Sequence, residues 1–287
     1  MNLKLEKYEL ALLGAVLALL TAAIMAPAVA QSAHHHLFAD QRAWGGLPFA
    51  ADVLSNLPFL LWGGLGLTIL ARQARGVGCR TVAASRGLTA LFFAGLVVTA
   101  FMSAFYHWQP DNAGLAFDRL GMVMAFAGLM GLAAAGRVSV RAGELLALAV
   151  LLLGPLGIWV WSTSGNVLPW AVLQFGGMLL VLCLAVLKPL QGAPVIRWGW
   201  VVVTYALAKC FEIADEAVFA ATSQLVSGHS LKHVVASFSA WPVVFAVLTH
   251  HKSRAEFATP SRASRPARES KNLVARAHEI HENRATK

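Results

Sequence analysis

GLTALFFAGLVVTAFMSAFY, residues 87–106, runs for twenty positions without a charged side chain. At about 1.5 Å per residue such a run makes a helix of roughly 30 Å, the thickness of a bilayer's hydrocarbon core. It is continuous rather than alternating, so it does not read as a strand of a membrane barrel. Comparable runs lie at 53–71, 118–135, 144–161, 168–187, 198–220 and 232–249. Together they predict seven core helices. A further apolar run, residues 10–30, follows Lys4 and Lys7 and closes on Pro27 and Ala28-Val29-Ala30. That is the A-x-A ending of a secretory signal, although such signals use only about 7–15 apolar residues. The run reads either as a cleaved signal or as a retained helix, and both place residue 31 outside the cytoplasm.

Composition points the same way. Of 287 residues 57% are apolar and 13% charged, against about a quarter charged in soluble domains. A soluble enzyme, a nucleic-acid binder and a disordered scaffold are disfavoured together. A net charge of +9 would ordinarily raise a polyanion partner, but the basic residues fall in alternate loops. Arg72, Arg75, Arg80 and Arg86 follow the first core segment, Arg137 and Arg141 the third, and Lys188 and Arg197 the fifth. Nine Lys or Arg lie beyond His250, while the opposite loops are nearly bare, with Arg42, Arg119 and Lys232 as exceptions. The positive-inside rule then puts the N-terminus of the core outside and its C-terminus in the cytoplasm of a bacterial-type inner membrane, with no nucleic-acid partner. The expected organisation is a signal or anchor helix at 1–30, a membrane domain at 31–250 and a basic, mostly disordered cytoplasmic tail at 251–287. Cys79, Cys183 and Cys210 provide neither an even disulfide framework nor a CxxC pair. The fold class is an all-α integral membrane protein: a seven-transmembrane-helix core preceded by an N-terminal signal or anchor helix.

Ionisable residues in spanning segments are expensive and by default mark function. Ser103 and His107 close the second core segment, Asp118 opens the third, and His229 and His233 begin the seventh. Alternating topology brings all three places to one depth near the outer face. Four apart, His229 and His233 share a helix face, as two ligands of one metal require. His107 completes a three-histidine set, which leaves a fourth position for water, the pattern of a catalytic zinc. Zinc lowers the pKa of such a water to about 7 and polarises a carbonyl; three imidazoles also suit other transition metals. Asp118 is expected as general base or as a partner orienting a histidine. Ser103, one turn before His107, is placed to steady an oxyanion. The residues alone therefore read as an intramembrane metallohydrolase. Lys209, Glu212 and Glu216 share a face of the sixth segment and read as a structural ion-pair cluster bordered by Asp215. Trp44, Trp108, Trp161, Trp170 and Trp241 read as interfacial anchors.

The order Ser103–His107, Asp118 and His229–His233 resembles the alkaline ceramidase and adiponectin-receptor-like superfamily of seven-helix membrane hydrolases. Asp52-Val-Leu-Ser-Asn-Leu-Pro-Phe59 is similar to the opening segment of the alkaline ceramidases. Phe38-Ala-Asp-Gln-Arg42, Gly46-Leu-Pro48 and Ser227-Gly-His-Ser-Leu-Lys-His233 are similar to the bacterial branch, and the resemblance spans roughly residues 35–250. It implies a zinc-dependent amidase acting on the N-acyl bond of ceramide or another N-acyl lipid. By motif, His107, His229 and His233 ligate zinc, Asp118 activates water and Ser103 stabilises the oxyanion. Asp215 resembles an acidic residue of the same helix in the family, implying a substrate contact or support for a ligand. The family's calcium site would fall on Asp40, Asp52 and Asn56, a sparse acidic set that makes calcium doubtful here. His34-His35-His36 reads as a solvated loop in preference to a second metal site. The alternative to an enzyme is a non-catalytic lipid-binding or receptor-like seven-helix protein with a structural metal. A purely structural metal would need neither Ser103 nor Asp118.

Overall fold

The structure is a computed structural model that describes residues 6–73 and 80–258, and every regular element among them is helical. In chain order these are α1 (Lys7–Met25), α2 (Ala50–Leu54), α3 (Leu57–Arg72), α4 (Arg80–Trp108), α5 (Asn112–Arg137), α6 (Val140–Ser164), α7 (Leu168–Ala171), α8 (Gly177–Ala185), α9 (Trp198–Ile213), α10 (Asp215–Ala221), α11 (Gly228–Ser237) and α12 (Trp241–Ala258). A π turn, Val172–Gly176, joins α7 to α8, and a 3-10 turn, Phe238–Ala240, joins α11 to α12. The chain divides into two compact units, 1–248 and 249–287. Helices α1 to α11 belong to the first. The expected tail begins as the end of α12, and from residue 259 on it lies outside the described residues.

Seven helical stretches among the described residues are long and apolar enough to cross a membrane: α1, α2–α3, α4, α5, α6, α7–α8 and α11–α12. The protein is therefore an all-α, multi-pass membrane protein. The sixth core segment departs from expectation. Instead of one helix over 198–220, α9 stops at Ile213 and α10 restarts at Asp215, so neither piece spans by itself. The third segment also starts earlier than expected. Asp111 caps α5, its carboxylate accepting from Gly114 N at 2.6 Å, which places Asp118 two turns inside the helix rather than at its opening.

Helix α5 is the centre of the first unit, packed against α4, α6 and α8. Its residues Ala125 to Ala135 are all buried, as expected of a helix apolar on every face. Small side chains bring α4 and α5 together: a Cβ on Gly128 would lie 2.3 Å from Phe92 N. By contrast α1 is mostly exposed and rests on the π turn and α7. Its Glu9 accepts a hydrogen bond from Ser139 Oγ at 2.6 Å. Leu61, Phe101, Leu152, Leu179 and Val203 are exposed, outward apolar faces suited to lipid.

Gly128→Ala is expected to lower the detergent-solubilised protein's melting temperature by the equivalent of about 1–3 kcal/mol or more, because backbone atoms cannot move aside. Gly14→Ala, with nothing near its added Cβ, should leave the melting temperature unchanged or slightly raised. Equal effects would contradict the α4–α5 contact.

Candidate metal centre

His107 is the penultimate residue of α4, and His229 and His233 face it from the first two turns of α11. The start of α11 is tightly fixed. Ser227 caps it by accepting from Ser230 N at 3.0 Å. Asp215, at the head of α10, accepts from His229 N at 2.7 Å. Gly228 is pressed against the end of α9, where a Cβ would meet Phe211 O at 2.3 Å. The ligand-bearing turn is thus held against the break in the sixth segment.

The three rings are buried, with centroids 4.8, 4.9 and 5.0 Å apart in a nearly equilateral triangle. One nitrogen from each lies within 4.8 Å of the others. They form the one group of three or more His, Cys, Asp or Glu among the described residues that could hold a metal ion. His107 Nε2 and His229 Nε2 are 3.3 Å apart. Two nitrogens on one tetrahedral zinc, each at about 2.0–2.1 Å, lie roughly 3.3–3.4 Å from one another, so the donor set fits such an ion.

Hydrogen bonding also assigns the His233 tautomer. Its Nδ1 lies 2.8 Å from Ser55 Oγ, whose proton goes to the Asp52 carbonyl. The same carbonyl also faces the imidazole, and a carbonyl only accepts. Nδ1 therefore carries the hydrogen, leaving the Nε2 lone pair for a metal, the arrangement typical of ligating histidines. His107 Nδ1 is buried without a hydrogen-bond partner.

Ser103 and Asp118 meet as expected: Ser103 is buried and hydrogen-bonds the Asp118 carboxylate. Both line a cavity of about 790 Å³ that also reaches His229 and His233. From Ser103 it descends along α4 past Thr99, Leu96 and Phe92. Ser103 and Phe92, eleven residues apart on α4, are about 16 Å apart at 1.5 Å per residue. The lining combines polar groups near Ser103 and Asp118 with an apolar stretch at Leu96 and Phe92.

Of the residues weighed for calcium, Asp40 is fully engaged, whereas Asp52 Oδ2 and Asn56 Oδ1 are buried without a hydrogen-bond partner. Asp40 is held by Arg42 through Nε at 2.8 Å and Nη2 at 2.6 Å. Burial alone would raise the Asp40 pKa, but these bonds outweigh it and hold the carboxyl below its usual value. Fully buried Asp52 accepts from Ser230 Oγ at 2.6 Å and Ser227 Oγ at 3.3 Å, and Asn56 donates to the Asp52 carbonyl. Asp52 thus ties α2 to the start of α11 beside His233, while Asn56 bonds only within its own turn.

The histidine run is not simply solvated. His36 bonds Tyr106 Oη at 2.9 Å and Asn112 Oδ1 at 3.0 Å. His35 lines the cavity; burial, then the charges of Arg119 and Lys232, lower its pKa to about 4, so it is neutral at pH 7. Phe38 packs against His107 and His229 with its ring inclined by 61° and 60°, centroids 4.8 and 4.4 Å away. Asp215 accepts from Ala39 N at 3.0 Å. The ion-pair reading of the sixth segment holds for Lys209 and Glu212 and adds Lys232, since Glu212 bonds Lys209 at 2.5 Å and Lys232 at 2.7 Å, but Glu216 is exposed and in no ion pair among the described residues. Two predicted interfacial anchors are instead internal: Trp161 and Trp170 are buried beneath the Arg119 guanidinium. Ser55, Phe38 and Arg119 had no site role in the sequence reading. Of these Ser55 and Phe38 carried a signal, their places in the segments Asp52–Phe59 and Phe38–Arg42.

No family model matches the chain, and no curated protein matches it.

His229→Ala is expected to abolish metal retention, measured as metal per chain by elemental analysis. Ser55→Ala should keep the site but weaken metal affinity by about 10–100-fold in a chelator competition, through loss of support to His233. Unchanged affinity would contradict the tautomer argument.

Proposed function

We propose that this protein is a zinc-dependent membrane amidohydrolase that cleaves the N-acyl amide bond of ceramide or a ceramide-like lipid. One observation carries the reading: His229 and His233, two of the three clustered buried imidazoles, line the same cavity as the Ser103–Asp118 pair and the apolar side chains Leu96 and Phe92. A structural metal needs neither the pair nor the cavity. The resemblance of Ser103–His107, Asp118 and His229–His233 to the alkaline ceramidases supports the same chemistry.

His107, His229 and His233 would hold the metal, which when bound supplies Lewis acidity toward the amide carbonyl and lowers the pKa of a water to about 7. Asp118 takes the water's proton and returns it to the leaving amine, as a general base and then acid. Ser103 Oγ donates to Asp118 before reaction and turns to the oxyanion as the carbonyl is attacked. The apolar trough along Thr99, Leu96 and Phe92 holds the acyl chain. Phe38 over His107 and His229 excludes bulk water, which strengthens each of these polar contacts. In the proposed orientation the basic ends of α3, α5 and α8 face the cytoplasm, and the metal centre lies toward the outer leaflet.

Asp118→Ala should retain metal yet lose roughly 10²–10⁴-fold in hydrolysis, followed as fatty acid released from ceramide and other N-acyl lipids in mixed micelles. Ser103→Ala should lose about 10²–10³-fold if its hydroxyl meets the oxyanion. An Asp118→Ala protein as active as the parent removes the general-base assignment. Metal without turnover of any lipid amide leaves the receptor-like alternative.

A further inference from the structure

Three cations line the cavity: Lys209, Lys232 and Arg119. The two lysines are committed, both to Glu212. Arg119 is 3% exposed and forms no ion pair with any carboxylate among the described residues. Its Nη2 donates to the neutral Gln31 carboxamide at 2.7 Å, and its Nη1 is buried with no hydrogen-bond partner. Trp161 and Trp170 lie under the guanidinium at 4.1 and 5.5 Å, fixing its plane while leaving donors along its edge. Burying a guanidinium without an anion is costly, and Trp stacking returns only part of that cost. The cavity therefore contains a rigidly held positive charge that the protein does not neutralise by an ion pair.

Arg119 follows Asp118 in the chain, and both face the cavity. A group paired with Arg119 would lie close to the scissile amide, among the polar groups near Ser103 and Asp118 rather than in the apolar trough. We propose that Arg119 binds an acidic group on the amine portion of the substrate, so that the preferred lipid is an N-acyl amine bearing a carboxylate or similar oxyanion. This rests on the hydrolase reading and narrows it. The planar fork of an arginine matches such an oxyanion in two-point contact, which a lysine does not reproduce.

The test uses the full chain in neutral maltoside micelles with a chelator present, so that nothing is hydrolysed. The dissociation constants of N-dodecanoylglycine, uncharged N-dodecanoylglycinamide and dodecanoate are compared. The parent protein is expected to bind the glycine conjugate about tenfold or more tightly than its glycinamide. Arg119→Gln should erase that difference while leaving glycinamide binding unchanged, and Arg119→Lys should restore only part of it. Equal binding of the two conjugates by the parent overturns the proposal, even should Arg119→Gln fail to fold. So does an Arg119-dependent preference confined to dodecanoate, which would make this a site for the released fatty acid. A purely tethering role through Gln31 would change the melting temperature without changing selectivity. Parallel assays of the metal-loaded protein separate the two readings. Hydrolysis of neutral amides without a carboxylate preference retains the hydrolase and removes the acidic substrate. Arg119-dependent binding without hydrolysis of any amide does the reverse.

Discussion

Three imidazoles converging inside an apolar bundle set the terms for the elements around them. Each ring must be buried, aimed and left with a lone pair facing inward, in surroundings where an unmet polar group is expensive. His107 comes at the end of the long helix α4, whereas His229 and His233 come from the first turns of α11. The two helices can present ligands at one point only because α11 begins at that depth. The supporting bonds all serve that start: the Ser227 cap, the Asp215 carboxylate on His229 N and the Ser55 hydroxyl on His233.

The irregular backbone follows from the same demand. The α2–α3 junction, the π turn, the Ala214 break and the 3-10 turn interrupt otherwise continuous spans. Within a membrane, non-helical backbone persists only where protein or a cavity surrounds it. Ser55 at the first junction bonds His233, Gln174 and Phe175 in the π turn line the cavity, and Asp215 follows Ala214. Ser239 of the 3-10 turn also lines the cavity, so each of the four interruptions has a residue at the cavity or bonded to the histidine turn.

The spans other than the sixth core segment, and the grouping of His107, His229 and His233, were legible because they rest on strong one-dimensional signals: long apolar runs and an i,i+4 histidine pair at a helix end. Asp118 and Ser103 followed from topology. The break at Ala214 was not legible, since alanine has the highest helix propensity and no Gly or Pro marks the position; tertiary support from Asp215 decides it. The true start of α5 was present in the sequence, as Pro110 followed by the capping Asp111, but the apolar pattern beginning at Asp118 obscured it. Trp161 and Trp170 were read by their nearness to helix ends. Their burial under Arg119 is a contact between distant segments, which position along the chain does not encode.

Asp215 ties two structures with one carboxylate. Oδ1 holds the backbone of His229, and Oδ2 holds Ala39, beside the Phe38 ring that covers the histidines. Lifting the cover by breaking the second bond leaves the first to carry the ligand turn alone. For an ion held by the three histidines, access and retention would thereby be mechanically linked: opening more freely at Phe38 would also loosen such an ion, and speed of exchange would be gained at the expense of occupancy.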